Sequence, residues 1–277
     1  MTSLLQQRPL VIAGPCVLED GDVNLRIAEK LLNIRDDLDV AVVYKASFDK
    51  ANRARLISPR GPGLEKGLAI LRDIGEETGL PLLTDVHEIG QIEIVAEVVD
   101  VLQIPAFLSR QTDLLTEAGA AGKSVNIKKG QWLQPADMVG AVEKVRASGC
   151  DDVAVTERGT FFGYGDLVVD MRNFGRLKRA TGSSIIFDVT HSVQQPGRGR
   201  GGTSGGTREH VLSLAAAAAA AGADGFFVET HPNPELATSD AATVWPLDDL
   251  ERLLDHALCI WQAARDSARY TEASVEG

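Results

Sequence analysis

Lysines stand directly behind apolar runs in this sequence: Lys45 follows VVY, with Lys50 close behind, and Lys128 and Lys129 follow VNI. Other short apolar runs end in Cys16, in Asp85 with His87, in Glu157 with Arg158, in Asp188 with His191, and in Glu229 with His231, while Arg110 follows QIPAFLS. Ammonium and guanidinium groups gathered in one place bind phosphates and carboxylates. Carboxylates and imidazoles beside them are the groups of acid–base chemistry. Cys16, His191, Glu229 and Asp240 add a third possibility, an S, N, O, O donor set suited to a borderline divalent ion such as Zn²⁺, Fe²⁺ or Mn²⁺. No local motif such as HxxxH ties those four together, and a lone cysteine after a strand is more often a buried core residue.

Such groups share a site only if the runs that carry them share an end. β-Branched runs at 10–13, 40–44, 81–84, 99–104, 124–127, 152–156, 184–187 and 225–228 are almost continuously apolar, the pattern of parallel strands covered on both faces. Amphipathic stretches at 23–32, 63–78, 89–98, 113–121, 135–147, 166–179, 208–221 and 248–268 alternate with them and predict helices. The alternation predicts a (β/α)8 barrel, with a doubly wound open sheet as the alternative. In a barrel the strand ends meet at one rim, and the first and eighth strands are neighbours, which brings Cys16 toward Glu229. Residues 1–277 contain no repeat and no linker long enough to mark a second domain, so one barrel is expected.

Two segments stand apart by composition. Residues 215–221 are seven consecutive alanines, read as a helix packed closely on the barrel. Residues 197–207, GRGRGGTSGGT, hold six glycines but lack the order of a phosphate-binding loop, and read as a mobile lid after the seventh strand.

The chain carries 28 Lys+Arg against 39 Asp+Glu, a formal charge of −11, which argues against a nucleic-acid face or an anionic membrane as partner. Small anions are still admissible if the cations are concentrated. Three widely spaced cysteines, Cys16, Cys150 and Cys259, argue against a disulfide framework and fit a reducing compartment. With neither a basic, apolar leader nor a membrane-length apolar run, a cytoplasmic protein is expected.

IAGPC (12–16), YKASFDKANR (44–53), RGPGLEKG (60–67), TDVHE (84–88), QIPAFLSRQTDLL (103–115), VNIKKGQ (125–131), TERGTFFGYGDLVVDMRN (156–173), FDVTHSVQQPG (187–197) and VETHPNP (228–234) together resemble the 3-deoxy-D-manno-octulosonate 8-phosphate synthases. The likeness runs over roughly residues 10 to 250, and KANR and QIPAFLSRQTD are its most specific parts. It implies a (β/α)8 barrel that condenses phosphoenolpyruvate with D-arabinose 5-phosphate and water, releasing phosphate, in the synthesis of a lipopolysaccharide precursor. The related 3-deoxy-arabino-heptulosonate 7-phosphate synthases, which use erythrose 4-phosphate, carry KPRTS where this chain has KANRA.

Members of the family that need a metal have cysteine in the first-strand motif and the others have asparagine, so Cys16 implies the metal-dependent branch, with Cys16, His191, Glu229 and Asp240 as ligands of Zn, Fe, Mn or Co. By position, Lys45, Lys50, Lys128, Gln131 and Arg158 are implied to hold phosphoenolpyruvate, and Asn52 and Arg53 the sugar phosphate. Asp85 and Phe107 are implied to line the sugar's path, with Arg110 reaching in from a neighbouring subunit of a homotetramer. His191, Asp240, Lys50 and Asn52 are then the residues closest to the chemistry. The chain departs from the family at Ala54 and Arg55, where serines are usual, and at Ala242 and Val244, where serine and glutamine are expected near the metal. Besides the heptulosonate synthase, the rivals are a Schiff-base aldolase using Lys128 and a non-catalytic sugar-phosphate binder.

Overall fold

The computed structural model describes residues 3–199, 202 and 204–275. Eight parallel strands carry the architecture: β1 Leu10–Gly14, β2 Ala41–Lys45, β3 Leu82–Asp85, β4 Val101–Ile104, β5 Ser124–Lys128, β6 Val153–Glu157, β7 Ser184–Asp188 and β8 Gly225–His231. Each pairs with the next, and β1 pairs with β8 in the register Leu10–Gly225 to Gly14–Glu229, which closes the sheet into a barrel. The open-sheet alternative is thereby excluded. Around it lie α1 Val23–Leu38, α2 Leu64–Thr78, α3 Ile92–Ala96, α4 Thr112–Ala120, α5 Val139–Ala147, α6 Arg172–Thr181, α7 Val211–Ala220 and α8 Leu250–Val275.

The near-continuous apolar runs have the cause expected of them. Outward-facing strand residues such as Val42, Tyr44, Val125, Val155 and Phe187 pack under the helices, in one large buried cluster with Ile27, Leu71, Val142 and Leu253. Inward-facing residues make a second, smaller cluster of Leu10, Ile12, Val43, Leu83, Val101, Ala154, Ile186 and Phe227, capped from below by Leu5 of the short 3-10 turn Leu4–Gln6. Asp152 holds that cap by accepting the Leu5 backbone N–H at 3.1 Å. The alanine run packs α7 against α8, burying Ala215, Ala218 and Ala219.

Two helix expectations are corrected. Of residues 166–179, Asp166–Val168 is a strand paired antiparallel with Thr160–Gly163 in a hairpin over the barrel mouth, and α6 begins only at Arg172. Gly165, with φ of 112°, makes the turn, and the β-branched pair Val168–Val169 favours extended chain. The Asp170 carboxylate then accepts the Arg172 N–H at 3.0 Å and starts the helix. The stretch 89–98 is also broken, into a 3-10 turn Ile89–Gln91 and the short α3. Of the glycine-rich segment, residues 200, 201 and 203 lie outside the described residues; Gly205–Gly206 within it pairs antiparallel with Gln194–Gln195, which precedes it. Among the described residues, no helix is long and apolar enough to cross a membrane.

Candidate active site

Side chains on a strand alternate, so a step of two residues up each barrel strand keeps the same inward face. That step takes Val43 to Lys45, Leu83 to Asp85, Val101 to Gln103, Ala154 to Thr156, Ile186 to Asp188 and Phe227 to Glu229. The barrel interior therefore changes from hydrocarbon to buried charge within one layer. Above that layer opens a cavity of about 870 Å³, lined among others by Lys45, Lys50, Lys128, Arg158, His191 and Glu229. Gly14 makes the neighbouring approach possible: a Cβ there would lie 1.9 Å from the Lys45 carbonyl oxygen, so only glycine lets β1 run close to β2 and deliver Cys16 to the rim.

The mouth is not simply cationic. Lys45 Nζ lies 2.6 Å from Glu229 Oε1 and donates to the Cys16 carbonyl at 2.9 Å, while Lys50 Nζ stands 3.9 Å from the same Glu229 oxygen. Lys128 Nζ pairs with Asp188 Oδ2 at 2.9 Å and sits 3.7 Å above the centre of the Phe227 ring. Buried charges must be paired, and here the cations interleave with Asp85, Asp188, Glu229 and Asp240. Burial alone would raise the Glu229 carboxyl, but His191, Lys45, Lys50 and Lys128 hold it well below the usual carboxylate range. Asp188 is depressed in the same way, against burial, by His191, Lys128 and Arg158. Burial pushes the Lys128 ammonium and the Arg158 guanidinium down from their ordinary values.

Two polar atoms in this layer are buried without a partner among the described residues: Arg158 Nη1 and Gln131 Oε1. The other Arg158 nitrogen, Nη2, donates to Gln194 Oε1 at 2.8 Å. A buried guanidinium N–H left unpaired beside a cavity marks a place for an oxygen of a bound anion.

Three of the four expected metal ligands converge. Donor atoms of Cys16, Glu229 and Asp240 all lie within 4.8 Å of one another, and Cys16 Sγ is 3.2 Å from Asp240 Oδ2. His191 stands outside that triplet but against it, with Nε2 3.5 Å from Glu229 Oε2. Its Nδ1 is 3.0 Å from Asp188 Oδ1 and 2.8 Å from Oδ2, so the Nδ1 hydrogen is taken up and Nε2 is the nitrogen left for the cavity. A carboxylate behind a ligating imidazole is a recurring support of metal sites. Thiol, imidazole and two carboxylates fit a borderline divalent ion. Burial, with Glu229 next, pushes the Cys16 thiol well up, so without a cation Cys16 stays protonated and donates to Asp240.

Arg53 also lines the cavity; its Nη1 donates to Ser239 Oγ at 2.7 Å, and its Nε donates to the Pro59 carbonyl at 2.7 Å. Asn52 is exposed and lines the same cavity, as does Ala54; Arg55 is exposed and does not line it. Phe107 lines the rim half-exposed, stacked on Trp132 with ring centres 5.8 Å apart. Asp85 accepts from Ser47 Oγ and Gln103 Nε2, and the chain continues from Asn126 Nδ2 to Gln103 Oε1 at 2.9 Å and from Thr156 Oγ1 to Asn126 Oδ1 at 2.8 Å. Arg110 is exposed and does not line the cavity of its own chain.

Some charges after strands do not face the site. Lys129 and Glu157 are turned outward beneath the hairpin and pair with each other at 3.4 Å, fully buried. Glu157 also accepts from Gly159 N and Asn173 Nδ2, so this pair braces the loop after β6. His231 lies behind the site, its Nδ1 accepting the Asn233 N–H at 2.9 Å. Sequence reasoning missed Gln194 and Ser239. Gln194 Nε2 donates to Asp240 Oδ1 at 2.7 Å and Ser239 Oγ to Asp240 Oδ2 at 2.9 Å. The departures at Ala242 and Val244 thus do not leave Asp240 unsupported. No spacing signal marks either residue, since Ser239 lies in a loop and Gln194 in a two-residue strand outside the barrel.

Residues 5–266 match the family model described as the DAHP synthetase I family. The chain is 51% identical over 259 residues to a 2-dehydro-3-deoxyphosphooctonate aldolase of Desulfosudis oleivorans, covering 94% of this chain and 92% of that one. It is 53% identical over 250 residues to the protein so named in Syntrophotalea carbinolica, covering 90% of each. For the one so named in Stenotrophomonas maltophilia strain K279a, the figures are 52% over 251 residues, with 91% of this chain and 90% of the relative covered.

Proposed function

The chain belongs to the DAHP synthetase I family and within it to the 2-dehydro-3-deoxyphosphooctonate aldolases, and from that premise we propose that it condenses phosphoenolpyruvate with D-arabinose 5-phosphate and water to give 3-deoxy-D-manno-octulosonate 8-phosphate and inorganic phosphate. The observation that carries the reading is one cavity holding both an unpaired, buried Arg158 N–H and the edge of the Cys16, Glu229 and Asp240 cluster.

C3 of phosphoenolpyruvate attacks the aldehyde carbon of the sugar, water adds at C2, and the hemiketal phosphate so formed loses phosphate by C–O cleavage. Together the substrates bring about four negative charges into one pocket, more than it can hold without several cations. Lys45, Lys50, Lys128, Gln131 and Arg158 are the residues proposed to hold phosphoenolpyruvate. Arg158 Nη1 and Gln131 are polar groups not yet committed to protein partners there. Asn52 and Arg53 take the sugar phosphate, with Asp85 and Phe107 along its path, and Lys50 and Asn52 orient the aldehyde. His191, its Nδ1 fixed by Asp188, presents Nε2 as a ligand atom beside the transferred phosphate, and Asp240 is the candidate base for the attacking water. Cys16, His191, Glu229 and Asp240 would hold the divalent ion (Zn, Fe, Mn or Co), which when bound supplies Lewis-acid polarisation of an oxygen.

The proposal extends to a homotetramer in the cytoplasm. Arg110 is exposed and free of its own chain's cavity, and Phe162 and Tyr164 leave large rings uncovered near the mouth, which supports a neighbour there. The free thiols support a reducing compartment.

Phosphate release from phosphoenolpyruvate with arabinose 5-phosphate or erythrose 4-phosphate, before and after chelation and with metals added back, tests the reading. Turnover is expected with arabinose 5-phosphate, lost on chelation and restored by a divalent ion. Preference for erythrose 4-phosphate would assign the heptulosonate reaction instead, and a Cys16→Ala variant fully active after exhaustive chelation would remove the metal. The depressed Lys128 ammonium is the one feature favouring a Schiff base. Covalent trapping with borohydride would support that rival, and phosphate release counts against it.

A further inference from the structure

Asp240 joins the two arginines that the proposed reaction assigns to the two phosphates. On one side Arg158 Nη2 donates to Gln194 Oε1 at 2.8 Å and Gln194 Nε2 donates to Asp240 Oδ1 at 2.7 Å. On the other, Arg53 Nη1 donates to Ser239 Oγ at 2.7 Å and Ser239 Oγ donates to Asp240 Oδ2 at 2.9 Å. The polarity of each link is forced. An arginine only donates and an ionised carboxylate only accepts, so the amide must turn its oxygen to Arg158 and its nitrogen to Asp240. The serine hydroxyl must likewise accept from Arg53 and give its single hydrogen to Asp240. Gln194 is 7% and Ser239 3% exposed, which keeps both links out of competition with water.

Each oxygen of Asp240 is thereby tied to a different arginine, and Oδ2 also receives Cys16 Sγ at 3.2 Å. From this we infer that Gln194 and Ser239 are positioning residues that couple metal affinity to substrate occupancy along two separate routes, Gln194 to phosphoenolpyruvate and Ser239 to the sugar phosphate. The inference rests on the reaction proposed above for the assignment of the two phosphates. Its physical basis is that an anion oxygen arriving at either arginine redirects that guanidinium. The single side chain behind it then shifts the Asp240 oxygen it holds. Coupling of binding free energies is reciprocal, so the metal must change the affinity for each substrate by the same factor as the substrate changes the affinity for the metal.

The test is a metal titration of the intact protein against a chromogenic chelator, using Mn²⁺ or Zn²⁺ alone, then with phosphoenolpyruvate, then with arabinose 5-phosphate. Gln194→Met keeps the side-chain length and removes both hydrogen bonds. Ser239→Ala removes the hydroxyl, and Ser239→Thr restores it as a control for folding. Both disabling variants are expected to bind metal about 10–100-fold more weakly than the parent, the usual cost of losing a group that orients a ligand. Gln194→Met is expected to lose the shift in metal affinity caused by phosphoenolpyruvate while keeping that caused by arabinose 5-phosphate. Ser239→Ala should do the reverse, and Ser239→Thr should return to parental behaviour. In turnover, KM rises for phosphoenolpyruvate in the first and for the sugar in the second. Purely structural roles would weaken both routes alike. Loss of both shifts together in either variant, parental metal affinity in both, or a parent whose metal affinity ignores both substrates each overturns the inference. A parent that binds metal but does not release phosphate from this substrate pair refutes the proposed function instead, and leaves the substrate-free metal affinities to decide the roles of Gln194 and Ser239 toward Asp240.

Discussion

Replacing Asp188 by asparagine removes one charge and changes little else. Asp188 is fully buried and does three jobs: it pairs with Lys128 Nζ at 2.9 Å, accepts the His191 backbone N–H at 2.9 Å, and holds His191 Nδ1. Breaking one side of a buried ion pair costs about 3–5 kcal/mol, because the partner stays buried and uncompensated. The substituted amide would keep one acceptor oxygen and Lys128 has Glu229 among its neighbours, so the lower figure applies, about 3 kcal/mol. For a chain of this size each kcal/mol moves the melting temperature by about 2–4 °C, so Asp188→Asn should melt about 6–12 °C lower. Its kcat for phosphate release should fall by about 10–100-fold, the range for losing a group that orients a metal ligand, because the imidazole loses the carboxylate that fixes its tautomer. Lys128→Met with Asp188→Leu replaces the pair by hydrocarbon and should recover most of the lost stability while remaining inactive. Differential scanning calorimetry and a coupled phosphate assay read both quantities. An Asp188→Asn protein with parental melting and kcat within about twofold of the parent, well short of the effect expected of a group that orients a ligand, would refute the reasoning, as would a double variant with restored activity.

Leu5→Ala should destabilise the protein by about 2–5 kcal/mol, since Leu5 is fully buried as the cap of the barrel's apolar interior, while leaving KM for both substrates unchanged at the opposite end; thermal melts and initial rates check this. Asp85, Asp188 and Glu229 all have folded-state pKa values below their unfolded ones. Their stabilisation is therefore fully present above the unfolded carboxylate range of about 4 and is lost as pH falls through the folded values. The melting temperature should drop steeply below pH about 4, and Glu229→Gln should flatten that slope, measured by melts from about pH 7 to about pH 3.

The barrel was legible because its strands are buried on both faces and its helices are amphipathic, two patterns carried by single residues at fixed spacing. The hairpin over 160–168 was not, because Asp166, Leu167 and Val168 match the start of a helical face as well as a strand, and only the Gly165 turn decides between them. Strand-end reasoning found the residues of the charged layer but not their orientation. Lys128 and Lys129 are adjacent, so alternation sends one into the barrel and the other out to Glu157. Gln103 and Asn126 were readable in principle, as polar residues inside apolar strand runs at positions in phase with Asp85 and Lys128. Gln194 and Ser239 were not, since what recruits them is Asp240, whose place beside them is set by the fold and not by spacing.

The interleaving of lysines with carboxylates follows from what the cavity must do when empty. Lys45, Lys50, Lys128 and Arg158 converge within a layer that excludes most water, where alone they would repel one another. Glu229 and Asp188 offset that repulsion by supplying oxygens from within the fold. An ammonium has three N–H donors: Lys128 gives one to Asp188 and keeps others for a ligand, whereas Lys45 gives all three to Glu229 and the Pro15 and Cys16 carbonyls and contributes its charge. An anionic substrate then adds oxygens to a preformed lattice of cations and need not create one. Removing the carboxylates to make the mouth more positive should therefore weaken anion binding: Glu229→Gln frees no new lysine donor, since the amide oxygen still accepts, and it leaves Lys45, 1% exposed, buried without its counter-charge.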